Sequence, residues 1–188
     1  MTNSRLSIRQ ITVCAFMIAV LIVCTQISFN LPGGIPVTMQ TFAIALIGFL
    51  VGSKMGIFIV GVYLLLGLIG LPVFSNFGSG PAKLVGPTGG YLIGFIPMII
   101  LIGLAGNLIK NNPPPILYLW AILLSLSGLI CCHLPGILWL AASTEMNFIA
   151  AAIVGSLPFI VKDIVSVVLG YFTAEILVKS LKKVLAKT

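Results

Sequence analysis

An aspartate directly preceded by a lysine, both inside an apolar run, is the pair in this sequence with the most capacity for chemistry. Lys162 and Asp163 sit in the stretch GSLPFIVKDIVSVVLGYF at residues 155–172. Asp163 is one of only three acidic residues in 188, so its position is not the by-product of an acid-rich composition. An ionised side chain costs about 2.5–3.5 kcal/mol at the centre of a membrane helix and is retained for a ligand, an ion or a proton path. Adjacent helical positions lie about 100° apart, so the two side chains are expected to diverge, with Asp163 facing inward and Lys162 reaching outward.

The other reactive residues point away from catalysis. His133 is the single histidine, and apart from adjacent Cys131 and Cys132 it has no partner at metal-ligand spacing, so it reads as a buried or interfacial side chain. Cys14, Cys24, Cys131 and Cys132 form no C-x-x-C and lie in apolar runs, which fits small apolar packing residues; a vicinal redox site at Cys131–Cys132 is the minor alternative. The string GSGPAKLVGPTGG at 78–90 lacks the G-x-x-x-x-G-K-[ST] order of a phosphate loop. No G-x-S-x-G or H-E-x-x-H motif occurs. The chain is expected to bind rather than to catalyse, without metal or cofactor.

The elements that carry these residues follow from composition. Hydrophobic residues make up 60% and charged residues 7%, with a mean hydropathy of +1.25, against roughly 25% charged in a soluble domain. This is an all-α integral membrane protein, long enough for six spans of about 20 residues in a single domain, 1–188. The expected spans are 11–29, 37–51, 57–74, 91–109, 116 to about 134, and 150–177. Gly/Pro-rich breaks separate them at 30–36, 52–56, 75–90 and 110–115, and Pro135–Gly136 is expected to end or kink the fifth. A cleavable leader is not expected, because the first apolar run is long and lacks a small-residue cleavage site.

Charge sets the orientation. With six spans both termini share one side, which then holds Arg5, Arg9, Lys54, Lys110, Lys179, Lys182, Lys183 and Lys187. Lys83 and Lys162 are left for the other side. That split places both termini in the cytoplasm and accounts for the basic character without nucleic acid. The outer loops, 28–38, 75–90 and about 135–149, are long beside the inner ones, as for a ligand cavity near the extracellular face. In the first helix Ala15 and Ala19 form a small-xxx-small pair that permits close helix contact.

Four strings carry a family resemblance: IPVTMQT at 35–41, YLLLGLIGLPVF at 63–74, LVGPTGGYLIGF at 84–95 and PFIVKD at 158–163. In this order they resemble BioY, the biotin-binding S component of energy-coupling factor (ECF) vitamin transporters, over essentially the whole chain. The resemblance implies a six-helix bundle in a bacterial plasma membrane that captures biotin from outside under its first and third loops. It also implies association with a transmembrane coupling subunit and two cytoplasmic ATPases, with Ala15 and Ala19 at the partner contact. One departure stands out. The family commonly reads PF-x-x-G-D-x-x-K, whereas this chain has Lys162 for the glycine and Ser166 for the lysine.

Biotin's chemistry assigns roles to the candidates. Ionised Asp163 would accept charge-assisted hydrogen bonds from the two ureido N–H groups. Asn76, Gln40, Ser79 or Tyr91 would serve the ureido carbonyl. Phe74, Phe77, Tyr91 and Trp139 are candidate apolar walls, and Lys83 or Lys162 would meet the carboxylate. The alternative reading is a small channel or proton-coupled carrier that uses Asp163 and Lys162 as a relay. It would require polar residues along several helices, and the sequence offers few below the outer third. A membrane enzyme built on Cys131 and Cys132 is a third and weaker reading.

Overall fold

The computed structural model describes residues 7–30, 35–110 and 113–185. Arg5, Lys187 and residues 31–34 of the first break lie outside them. Helix α1, Ile8–Gln26, starts three residues ahead of the expected run because Ser7 and Gln10 form a capping box. The Ser7 backbone N–H donates to Gln10 Oε1 at 2.9 Å and the Gln10 N–H donates back to Ser7 Oγ at 3.3 Å. The helix stops at Gln26 because the next residues pair as strands. β1 (Ser28–Asn30) and β2 (Pro36–Thr38) form an antiparallel hairpin with Ser28 opposite Thr38. This small sheet is an addition to the expected all-helical chain.

Helix α2, Gln40–Leu68, contains the expected second and third segments as two arms joined at Gly52. Gly52 has φ +78° and ψ 179°, a conformation essentially reserved for glycine. A straight helix would hold residues 23 positions apart at about 35 Å. Yet Gln40 Nε2 donates to the Tyr63 hydroxyl at 2.8 Å, so the arms run antiparallel and side by side. The second arm ends at Leu68 rather than near Phe74. Gly70, at φ +104°, turns the chain out of the helix, and the Gly80 N–H closes the following loop onto the Gly67 carbonyl at 2.7 Å.

The stretch expected as an open loop over 75–90 is partly helical. It holds a tight turn at Ser75–Phe77 and helix α3, Pro81–Val85, opened by a proline at its first position. Helix α4 spans Gly89–Leu108 and α5 spans Pro115–Thr144. The expected end of the fifth segment near 134 is corrected: α5 continues through Pro135 for nine more residues, so residues 137–144 are helix and not a surface crossing. Packing explains why. A side chain at Gly94 of α4 would stand 2.8 Å from the Cys132 backbone, so α4 lies hard against α5 at the proline and keeps it helical.

A short helix α6, Phe148–Gly155, capped by Asn147, precedes α7, Leu157–Leu185. The last segment, in which Gly155 and Pro158 are expected to bend or restart the helix, is two helices that part after Gly155. Among the described residues five helices, α1, α2, α4, α5 and α7, are long and apolar enough to cross a membrane, and the chain is a multi-pass membrane protein. Its main core is α2 against α4, where Ile44, Ile47, Ile59, Met98, Ile99 and Ile102 are fully buried.

The elbow predicts its own test. Gly52→Ala places a Cβ in a left-handed conformation and 2.8 Å from Asn107 Oδ1, at a cost of about 1–3 kcal/mol. Gly61→Ala meets nothing within 4 Å and serves as the control. Thermal unfolding in micelles should show a lowered midpoint for the first variant and none for the second.

Candidate functional site

Asp163 lies in the second turn of α7 and is 5% exposed. Two cations or potential cations meet its carboxylate. Lys162 Nζ ion-pairs with Oδ1, and His133 Nε2 lies 3.0 Å from Oδ2. The expected divergence of Lys162 and Asp163 is corrected. The lysine stem folds back over its neighbour, and its Nζ also donates to the Thr38 carbonyl of β2 at 2.9 Å. A buried carboxylate and its nearest cation satisfy each other at less cost than either does alone.

His133 extends the pairing. It is buried on α5, and its Nδ1 lies 2.9 Å from Ser156 Oγ. Ser156 Oγ is 3.1 Å from the Tyr91 hydroxyl, which donates to the Gly155 carbonyl at 2.7 Å. The Tyr91 and His133 rings meet edge to face with centroids 5.9 Å apart. A chain of polar contacts thus runs from Asp163 across α5 to the α6–α7 junction and to the first turn of α4.

Tyr91, His133, Lys162 and Asp163 line one cleft, which is open to solvent at its mouth. Of the residues singled out in the sequence, the cleft brings together Gln40, Phe74, Lys83, Tyr91, Lys162 and Asp163. Gln40 is already engaged, its Nε2 donating to Tyr63 and its Oε1 accepting from Thr38 Oγ1 at 2.9 Å. Phe74 is buried over Gly67 and packs edge to face on Tyr63.

Four candidates lie outside the lining. Asn76 sits in the turn after Phe74, where its Oδ1 accepts from Ser28 Oγ at 3.0 Å. Phe77 is 70% exposed, and its backbone N–H donates to Gln26 Oε1 at 3.0 Å. Ser79 is half-buried in the same loop. Trp139 donates from Nε1 to the Gly86 carbonyl at 3.0 Å, clasping the end of α3 to α5. Ala15 and Ala19 are both exposed along one face of α1.

Sequence reasoning missed Thr38, Thr41, Thr88, Ser156 and the pairing of His133 with Asp163. Nothing local marks the hydroxyls. For His133 a signal existed: a lone histidine and a lone buried aspartate in a chain this apolar each need a partner.

The model of the BioY family matches residues 1–183. The chain belongs to the BioY family. A probable biotin transporter BioY of Pyrococcus horikoshii is 36% identical, with 89% of this chain and 94% of that protein covered. The biotin transporter BioY of Thermotoga maritima is 34% identical over 88% and 94%. A crystal structure of the S-component for biotin from an ECF-type ABC transporter superposes with a TM-score of 0.80 at 30% identity, covering 95% of each chain. The BioY family is one of transporter components and not of enzymes, and all four cysteines are free thiols.

The Asp163–His133 contact should be energetically coupled. His133→Ala and Asp163→Ala, made singly and together, should give a coupling of about 1–3 kcal/mol in a double-mutant cycle read by unfolding in micelles. Additive effects would mean that the 3.0 Å contact carries no stability.

Proposed function

We propose that this chain is the substrate-binding membrane subunit of a biotin uptake system and that the cleft at Asp163 is its biotin site. The observation that carries the reading is a buried aspartate held between Lys162 and His133 at the bottom of a cleft in a BioY-family chain. The bicyclic ureido ring offers two N–H donors, and an ionised carboxylate is their natural acceptor. Gln40, whose amide keeps a second N–H beyond the one given to Tyr63, lines the cleft for the ureido carbonyl, with Tyr91, Phe74 and Phe95 as wall.

The carboxylate end of biotin is matched by position. Residues from the first turns of α2 (Gln40, Thr41) and α4 (Tyr91, Leu92), with Thr88 that caps α4, line the cleft. Helix N-termini carry partial positive charge and favour an anion. Lys162 is tied to Thr38 and Asp163, so Lys83, which lines the same cleft, is the cation we assign to the biotin carboxylate. Biotin is cargo here, not a cofactor.

We further read the two arms of α2 as separate crossings, which makes six with both termini on one side. Support comes from the antiparallel pairing of Gln40 with Tyr63. It also comes from the position of Lys110 and Lys179 together at the end opposite Lys83 and Lys162. The positive-inside rule makes the Lys110 end cytoplasmic and the biotin cleft extracellular. A transmembrane coupling subunit and two cytoplasmic ATPases complete the system, and the exposed Ala15–Ala19 face of α1 is the surface assigned to that contact. The relay alternative lacks a path, because the interior below the cleft is closed by Ile44, Ile47, Ile99 and Ile102, all fully buried.

Asp163→Asn keeps the shape but loses the anionic acceptor, so biotin affinity should fall by tenfold or more in calorimetric titration while the protein stays folded. Unchanged affinity would remove Asp163 from the site. Ala15→Phe with Ala19→Phe should leave biotin binding intact and abolish co-purification with the coupling subunit. An intact complex would reassign the contact face.

A further inference from the structure

A second trough lies at the opposite end of the molecule from Asp163, and it has the two-part character of an amphiphile. Its mouth is lined by Lys110, Tyr118, Tyr171, Glu175 and Lys179. From there an apolar groove runs between α5 and α7 past Ile122, Leu126 and Val168. Mouth and groove share Phe49, Ile109, Tyr118 and Tyr171, so they form one continuous channel along the surface.

Three features identify what fits. The mouth carries two lysines against one carboxylate, and Glu175 is already paired with Lys179 at 2.7 Å, which leaves one net positive charge for a ligand. The tyrosines at the junction of polar and apolar parts stand where aromatic side chains meet a headgroup layer. On α5 the groove runs from Tyr118 to Leu129, about 16 Å of helix, close to half of the roughly 30 Å hydrocarbon core. That is the depth of one leaflet.

We propose that this trough binds one anionic glycerophospholipid, with its phosphate at Lys110 and Lys179 and an acyl chain in the groove between α5 and α7. A singly charged phosphodiester neutralises the mouth, and the chain fills apolar surface that the two helices leave open. The lipid would brace α7, whose other end carries Asp163, from the far side of the molecule. This assignment does not rest on the biotin reading.

The test is native mass spectrometry after extraction from nanodiscs of phosphatidylglycerol and phosphatidylcholine in equal amounts. The expected result is one retained phosphatidylglycerol per chain. The retained fraction should fall at least fivefold in the double variant Lys110→Ala, Lys179→Ala, and equally in Val168→Trp, which fills the groove without altering charge. Biotin binding should survive in both variants. Equal retention of the two lipids, undiminished retention in the lysine variant, or a second copy of the chain held in place of lipid would overturn the proposal.

Discussion

One carboxylate, buried among apolar helices, constrains much of this molecule. Removing one partner from a buried ion pair typically costs about 3–5 kcal/mol, so Asp163 can exist only if its partners are held in place by something rigid. Lys162 is adjacent in sequence, but its Nζ is fixed by the Thr38 carbonyl of the β-hairpin. His133 is fixed by Ser156, and Ser156 by Tyr91. Each of these anchors belongs to a different element. The hairpin, α5, the α6–α7 junction and α4 are therefore bound to a common point by the need to keep one charge paired.

That requirement gives a reason for irregularities that would otherwise look incidental. α5 continues through Pro135, which brings Trp139 to the carbonyl of Gly86 and fastens α3 beside the cleft. The chain breaks between α6 and α7 at Gly155 and Ser156, freeing the Gly155 carbonyl for Tyr91 and placing Ser156 Oγ beside His133. The reversal at Gly52 returns Tyr63 to Gln40, so a run of hydrogen bonds joins Thr25, Tyr63, Gln40 and Thr38 and holds the cleft-lining Gln40 and Thr38 in place. In an apolar solvent such sets must be nearly complete, since each unpaired group costs on the order of several kcal/mol.

What the sequence made legible was set by how local each cause is. The membrane class, the apolar runs and the break at Gly52 follow from composition and from single residues, and so did Asp163 as a charge in need of a purpose. The continuation past Pro135 was not legible, because a proline ends a helix unless a neighbour supports it, and the support is α4 packed at Gly94, some 40 positions earlier. The direction of Lys162 was misread for the same reason. Helical angles separate it from Asp163, but a four-carbon stem and a carbonyl on β2 reunite them. Asn76, Phe77 and Trp139 have suitable chemistry, but in this structure they pin loops and do not line the cleft.

The displaced lysine has a structural consequence. In the pattern with lysine three residues after the aspartate, the cation would lie on the same helix face, one turn deeper. Here that position is Ser166, which is 3% exposed. The cation approaches instead from the hairpin side, 26% exposed, and holds a strand carbonyl as well as the carboxylate. Moving Lys162 away from Asp163 therefore disturbs its bond to the hairpin, and moving the hairpin disturbs the charge balance at the floor of the cleft. A lysine confined to the helix face would couple these two motions only through the ligand. This chain couples them through one side chain.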